Sequence, residues 1–320
     1  MAKAKAEVKK DSLKSKNVVE VSGKLKQMNL EKGINKDRKN YIGGAVTLQY
    51  GKEVDKQVTV KVYKAELTQT GTVAKAYEHL EALMKKHTTM DMATEENLAT
   101  VIRFYGSQED FSPTLELNEY MPEGGDYFAN PQVSLSFGNV AIDKTTSDKF
   151  KSEFDLVIFL TKKPTMEMDK EQDETGRLII EGLYVDYKNQ VKPLTFLVED
   201  SEVVDGMSEL NKNDTIEIWG NIKIANITEV KSKVSAFGGK AHTDETSTNV
   251  SELIITGGEP VEDDDKRYIE PSFVKKALVE REDFLANLGN DTGTTKSKSG
   301  GFTKGTKKKA EADDSNDVPF

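Results

Sequence analysis

Val58-Thr59-Val60-Lys61-Val62-Tyr63-Lys64 alternates apolar and polar side chains without a break, and shortly after it the period of the chain changes. Alternation at period two puts Val58, Val60 and Val62 on one face of a strand and Thr59, Lys61 and Tyr63 on the other. Over Val73–Lys86 the residues Val73, Tyr77, Leu80 and Met84 recur at helical spacing, which predicts an amphipathic helix. Before this pair, Val18–Leu25 and Ile42–Tyr50 read as strands. After it, Thr100–Gly106, Thr114–Tyr120 and Gln132–Ala141 return to strand character.

The second half repeats the order, with two strands in place of three after the helix. Phe154–Thr161, Leu178–Tyr187 and Val191–Val198 read as strands, Ser201–Leu210 as a short helix, and Thr215–Ile224 and Ser251–Thr256 as strands again. Three strands, a helix and two strands is the order of the OB-fold, a five-stranded barrel plugged by a helix between its third and fourth strands. The sequence therefore predicts a mainly β chain with a few helices, built on two OB-fold-like barrels. Gly23 and Gly182 fall where small barrels bend sharply. A pair of β-sandwiches is the rival architecture, but sandwiches usually lack a helix at that position.

Five segments follow. Residues 1–16 read as a disordered basic arm, 17–143 as the first barrel and 150–258 as the second. Residues 259–289 hold an acidic run, Glu262–Asp265, and a helix that Pro271 opens and Gly289 closes. Its stripe of Phe273, Val274, Ala277, Leu278, Phe284, Leu285 and Leu288 packs on the second barrel or, alternatively, makes a homo-oligomer contact. Residues 290–320 read as a disordered linker and acidic tip.

The net charge of −10 hides an asymmetry. Residues 1–106 carry 20 Lys and Arg against 13 Asp and Glu, whereas residues 107–320 carry 25 against 42. A basic amino-terminal third with an acidic remainder places a nucleic-acid site at one end and an acidic module at the other. Alternation turns a basic, aromatic set to the outside of the first barrel. It comprises Lys24 and Lys26, Lys61 and Tyr63, and Arg103 and Tyr105, with Thr47 and Gln49 between. The loop Lys36-Asp37-Arg38-Lys39-Asn40-Tyr41 adds Arg38, Lys39 and Tyr41. Cations neutralise phosphates and rings stack unpaired bases, so the set suits single-stranded DNA; RNA offers the same chemistry. The second half is poorer as a groove. Tyr184 and Trp219 are its outward candidates, Trp219 equally suited to the barrel core, and Glu217 and Asp186 would repel phosphate there.

The chain closes on Asp313-Asp314-Ser315-Asn316-Asp317-Val318-Pro319-Phe320. A terminal carboxylate can be captured by amides or basic side chains, and the ring of Phe320 can fill a pocket. This tip resembles the acidic tip of bacterial and phage single-stranded-DNA-binding proteins, through Asp317-Val318-Pro319-Phe320 with Asp313 and Asp314 upstream. Val101–Tyr120 and Glu252–Leu288 are similar to phage-encoded replication proteins of that kind with two OB-type domains. The resemblance implies coating of exposed strands in replication, recombination and repair. It also implies recruitment of a polymerase, helicase or primase by Asp313, Asp314, Asp317, Val318, Pro319 and Phe320, with the tail competing for the protein's own groove.

Other classes lose their usual support. No phosphate-binding loop, dinucleotide fingerprint or nucleophile elbow occurs, so no enzyme is expected. Zero cysteines and three scattered histidines argue against a metal site, and no cofactor is expected. The Gly-Gly pairs at 43–44, 124–125, 238–239 and 257–258 read as turns. The absence of a long apolar run or an apolar leader predicts a cytoplasmic protein, in the host cytoplasm if phage-encoded, with no membrane partner. Two further readings stay open: a strand-annealing recombination mediator, and a β-rich phage assembly protein that binds no DNA.

Overall fold

A computed structural model describes residues 15–106, 112–122, 126–143, 149–233 and 242–288. In chain order the elements are β1 (Asn17–Ile34), β2 (Asn40–Gln49), β3 (Gln57–Ala65), α1 (Lys75–Lys85), β4 (Val101–Tyr105), β5 (Thr114–Tyr120), β6 (Phe128–Leu135) and β7 (Asn139–Asp143). There follow β8 (Ser152–Leu160), β9 (Thr165–Met168), β10 (Glu174–Val185), β11 (Val191–Val198), α2 (Ser201–Ser208), β12 (Thr215–Lys233), β13 (His242–Pro260) and α3 (Pro271–Leu288).

Strand pairing closes two barrels. In the first, β1, β2 and β3 form an antiparallel meander and β4 returns antiparallel to β1. The fifth strand is split: β6 lies parallel to β3, the chain bends at Gly138, and β7 pairs with β4. In the second, β8, β10 and β11 form the meander, β12 returns to β8, and β13 lies parallel to β11 and antiparallel to β12. α1 and α2 both fall between the third and fourth barrel strands. This is the OB arrangement twice over, read from pairing rather than from element order alone.

Burial follows the alternation. Val58, Val60 and Val62 point inward with Val46, Leu48, Ile102 and Phe104, and most of them are wholly buried. Each such side chain contributes on the order of 1.5–3 kcal/mol of burial free energy. α1 starts later than its apolar spacing predicts. Leu67 bridges Val73 ahead of the helix and leaves Val73 half-exposed, so the buried stripe is Ala76, Tyr77, Leu80 and Leu83. α2 is capped by Asp200, whose carboxylate accepts from the amides of Glu202 and Val203.

The barrels share one sheet. The first residues of β1 pair with β8, Asn17 opposite Leu156 and Val21 opposite Ser152. Lys16, assigned by sequence to the mobile arm, is seated instead, with its ammonium 2.6 Å from Asp155 and bonded to Glu217. Glu217 also binds Arg267, so this acid is buried and neutralised rather than presented to solvent. A second ion cluster forms around Glu119 on β5, which receives Lys192 at 2.7 Å, Arg281 of α3 and the hydroxyl of Tyr127.

α3 docks on the outside of the second barrel. Val274 and Ala277 bury against Val157, Phe159, Leu183, Val185 and Val191, with Phe273 at the edge. Packing on the barrel, one of the two expectations for its stripe, describes the first half of the helix. Phe284 further along stays partly exposed beside Lys192.

Several face assignments are corrected. Gln49 is buried, its amide donating to the carbonyls of Gly51 and Glu53 at 3.0 and 2.7 Å. Tyr184 points into the core, and its hydroxyl accepts from the amide of Leu117 at 2.9 Å. Trp219, which the sequence leaves between an outward position and the core, takes the outward one, half-exposed, with its indole over Gly257. The glycine pairs 43–44 and 257–258 are mid-strand rather than turns, while 124–125 and 238–239 lie outside the described residues.

Candidate nucleic-acid interface

The outer face of β1, β2 and β3 carries the ring and cation pattern expected from sequence, but not with all nine residues. Cross-strand rows place Thr59 beside Thr47 and Gln27, Lys61 beside Ala45 and Asn29, and Tyr63 beside Gly43 and Glu31. Tyr41 stands one row further on, opposite Ala65 and Gly33. The rings of Tyr41 and Tyr63 are 4.8 Å apart at 33°.

Glycine makes room for this pair. A Cβ on Gly33 would fall 2.6 Å from the Tyr41 ring, and one on Gly43 2.9 Å from it. Tyr41 therefore lies across the backbone instead of standing off it. Gly44, next along β2, has φ +139, and a Cβ there would sit 1.9 Å from the carbonyl oxygen of Asn29, so only glycine fits.

β1 runs far beyond the predicted strand because a bulge between Leu25 and Gln27 lets it continue to Ile34. Lys26 is the extra residue of that bulge. The long β1–β2 hairpin ends in a turn closed by Asn35, whose side-chain oxygen accepts from the amides of Asp37 and Lys39 at 3.0 and 2.9 Å. Arg38 adopts φ 59 there, and Arg38 and Lys39 are both exposed. Tyr41, Lys61, Tyr63, Arg38 and Lys39 thus belong to the outer face of β1, β2 and β3 and to the tip of the hairpin.

Arg103 and Tyr105 form a separate group. Arg103 on β4 pairs with Ser22, seven residues along β1 from Asn29, or about 23 Å at ~3.3 Å per residue. Its guanidinium is held 2.7 Å from Glu20 and stacks over Tyr105 at 4.8 Å. Glu20 also pairs with Lys151, so Arg103 belongs to an ion network at the barrel junction. Lys24 lies between the groups, paired along β1 with both Val101 and Gln49. The tip residues Asp313, Asp314, Asp317, Val318, Pro319 and Phe320 lie outside the described residues.

The sequence reading passed over Phe137 and Tyr187. Phe137 follows β6, and Tyr187 sits in the β10–β11 turn with its ring 5.9 Å from that of Phe137 and the ammonium of Lys188 5.3 Å from its centre. The available signal was Asp186-Tyr187-Lys188-Asn189-Gln190, a turn composition between two strands.

Elsewhere, a cleft of about 620 Å³ between the barrels is lined by both signs of charge, Lys56, Lys151 and Lys223 facing Glu53, Glu153 and Asp200. His79 and His87 each turn one ring nitrogen to a backbone carbonyl. Among the described residues no group of three metal-ligating side chains converges, and no helix is long and apolar enough to cross a membrane.

Fold and face together define a tandem OB-barrel protein whose first barrel bears an exposed aromatic and basic sheet. The chain belongs to the YorF family, whose model matches residues 15–291. A single-stranded DNA binding protein from Thermus aquaticus is similar in structure at 11% identity and TM-score 0.46, over 78% of this chain and 95% of that one. A deletion mutant of that protein gives 12% and 0.44, over 80% and 98%. A replication protein A heterotrimer bound to ssDNA gives 11% and 0.22, over 84% and 69%. No curated protein matches the chain. The barrels themselves are established by strand pairing.

Proposed function

We propose that the chain is a non-enzymatic, sequence-independent single-stranded-DNA-binding protein acting in replication and recombination, with its main binding surface on the first barrel. The observation that carries this reading is the Tyr41–Tyr63 pair, laid over Gly33 and Gly43 on the outer sheet beside Lys61. The second- and third-strand face is also where OB barrels take oligonucleotides. Half-exposed Tyr63 offers its ring to a base, and Lys61 on β3 with Arg38, Lys39 and Lys26 on the neighbouring hairpin can follow phosphates.

Titration of the full chain with oligo-dT at two salt concentrations tests the reading. Four phosphate contacts give a slope of log K against log salt of about −3, or about 60-fold weaker binding at 0.2 M than at 0.05 M. Absence of binding, or binding indifferent to salt, would sink it.

The acidic Pro-Phe tip completes the proposal as a handle for a cytoplasmic replication or recombination partner. Deleting Asp313–Phe320 should leave oligo-dT affinity unchanged or tighter and abolish capture of that partner. Loss of DNA binding on deletion would show that the tip has another role.

A further inference from the structure

We propose that a strand bound on the first barrel runs on over Phe137, Tyr187 and Lys188, so that the second barrel contributes its β10–β11 turn instead of a sheet face of its own. This rests on the single-stranded-DNA reading above and extends its site.

The second barrel's corresponding face is partly occupied. Leu183, Val185 and Val191, at the hairpin end of β10 and β11, lie under α3 with Val274 and Ala277. The other end of that face carries Arg177 among Glu167, Glu199 and Glu252 at 3.5 to 3.6 Å, an acid-rich surface that repels phosphate. The turn beyond the covered part is different in character. Tyr187 is 73% exposed, more than any other aromatic side chain among the described residues.

The turn is also rigid. Asp186 accepts from the amides of Lys188 and Gln190 at 2.8 and 2.9 Å, its own amide donates to the Gln190 carbonyl, and Asn189 takes φ 60 to close the loop. A ring carried on a backbone ordered in this way costs less to position when a base stacks on it. Phe137 meets Tyr187 edge to face at 71°, which steadies the ring and leaves it open to solvent. Lys188 stands close enough to neutralise the phosphate of a stacked nucleotide.

Continuity comes from the first barrel. β3 and β6 run parallel with Val62 opposite Leu135, so Phe137 follows just past the strand end that carries Tyr63, one strand away, or about 4.8 Å. Lys64 fastens that turn to β3 by donating to the carbonyls of Ser136 and Gly138 at 3.5 and 3.1 Å. Tyr41, Tyr63, Phe137 and Tyr187 thus succeed one another from the β1–β2 hairpin to the second barrel. A ring pair serving only to join the barrels would bury Tyr187, and it does not.

The test compares oligo-dT of about 8 and about 24 nucleotides, the first within one barrel's reach and the second long enough for both. The full chain carrying Tyr187→Ala and Lys188→Ala should bind the short oligonucleotide as wild type does and the long one about tenfold more weakly. Tyr187→Phe, which keeps the ring, should restore long-strand affinity. Both substituted side chains are exposed, so an unchanged melting temperature confirms the fold. Equal affinity of wild type and double variant for the long strand, with the short one bound, overturns the extension and leaves the first-barrel site standing. Failure of the wild-type chain to bind either length overturns both.

Discussion

Replacing Tyr41 and Tyr63 together with alanine is expected to weaken oligo-dT binding by about two orders of magnitude while the barrel stays folded. Each stacked base contributes about 1–3 kcal/mol, and about 1.4 kcal/mol is a factor of ten, so two rings at about 1.4 kcal/mol each, within that range, account for the loss. The rings sit outside the core formed by Val46, Leu48, Val58, Val60 and Val62, which the substitutions do not touch. The effect should exceed that of removing Arg103 and Tyr105, because Arg103 is already engaged by Glu20 and lies apart from the Tyr41–Tyr63 platform.

The second large effect is on stability. Glu119 is nearly inaccessible, its side chain only 2% exposed, and it joins the first barrel's β5 to Lys192 of the second barrel and Arg281 of α3. Burial alone would raise its pKa. Hydrogen bonds from Arg281, Lys192 and Tyr127 outweigh burial and hold it at about 2, against 4.5 ordinarily. A carboxyl whose folded pKa is depressed stabilises the fold fully above its unfolded pKa and loses that contribution as pH falls through the folded one. Glu119→Gln should therefore cost about 3 kcal/mol at neutral pH, at ~1.4 kcal/mol per pKa unit. The gap between wild type and variant should narrow as pH drops from about 4.5 towards 2. Denaturant unfolding at pH 7 and pH 3 measures it, and a gap that is small or the same at both pH values would contradict the role given to Glu119.

These two sites differ in how far the sequence shows them. Tyr63 and Lys61 were legible because one face of β3 is buried and the other solvated, so period two assigns every side chain. Tyr184 was not, because β10 is apolar on both sides: Leu178, Ile180 and Tyr184 face the barrel core, and Leu183 and Val185 face α3. Alternation cannot choose between two apolar faces. β1 was cut short at Leu25 because the bulge at Lys26 breaks the parity on which a strand is recognised. Glu119 reads as an ordinary strand acid, since its cationic partners lie 73 and 162 residues away in the chain. The close packing of Tyr41 on Gly33 and Gly43 likewise depends on pairing between strands, and without it the glycines pass for turn residues.

The proposed division of labour between the barrels rests on what covers their faces. α3 seals part of the second barrel's sheet, whereas the first keeps Tyr63, Arg38 and Lys39 exposed. The most direct test is a titration of the Tyr41→Ala, Tyr63→Ala chain and the wild type with the same short oligo-dT at matched salt. A loss of about a hundredfold with an unchanged melting temperature is the predicted result. Affinity equal to wild type in a folded double variant would place the nucleic acid elsewhere and contradict the account.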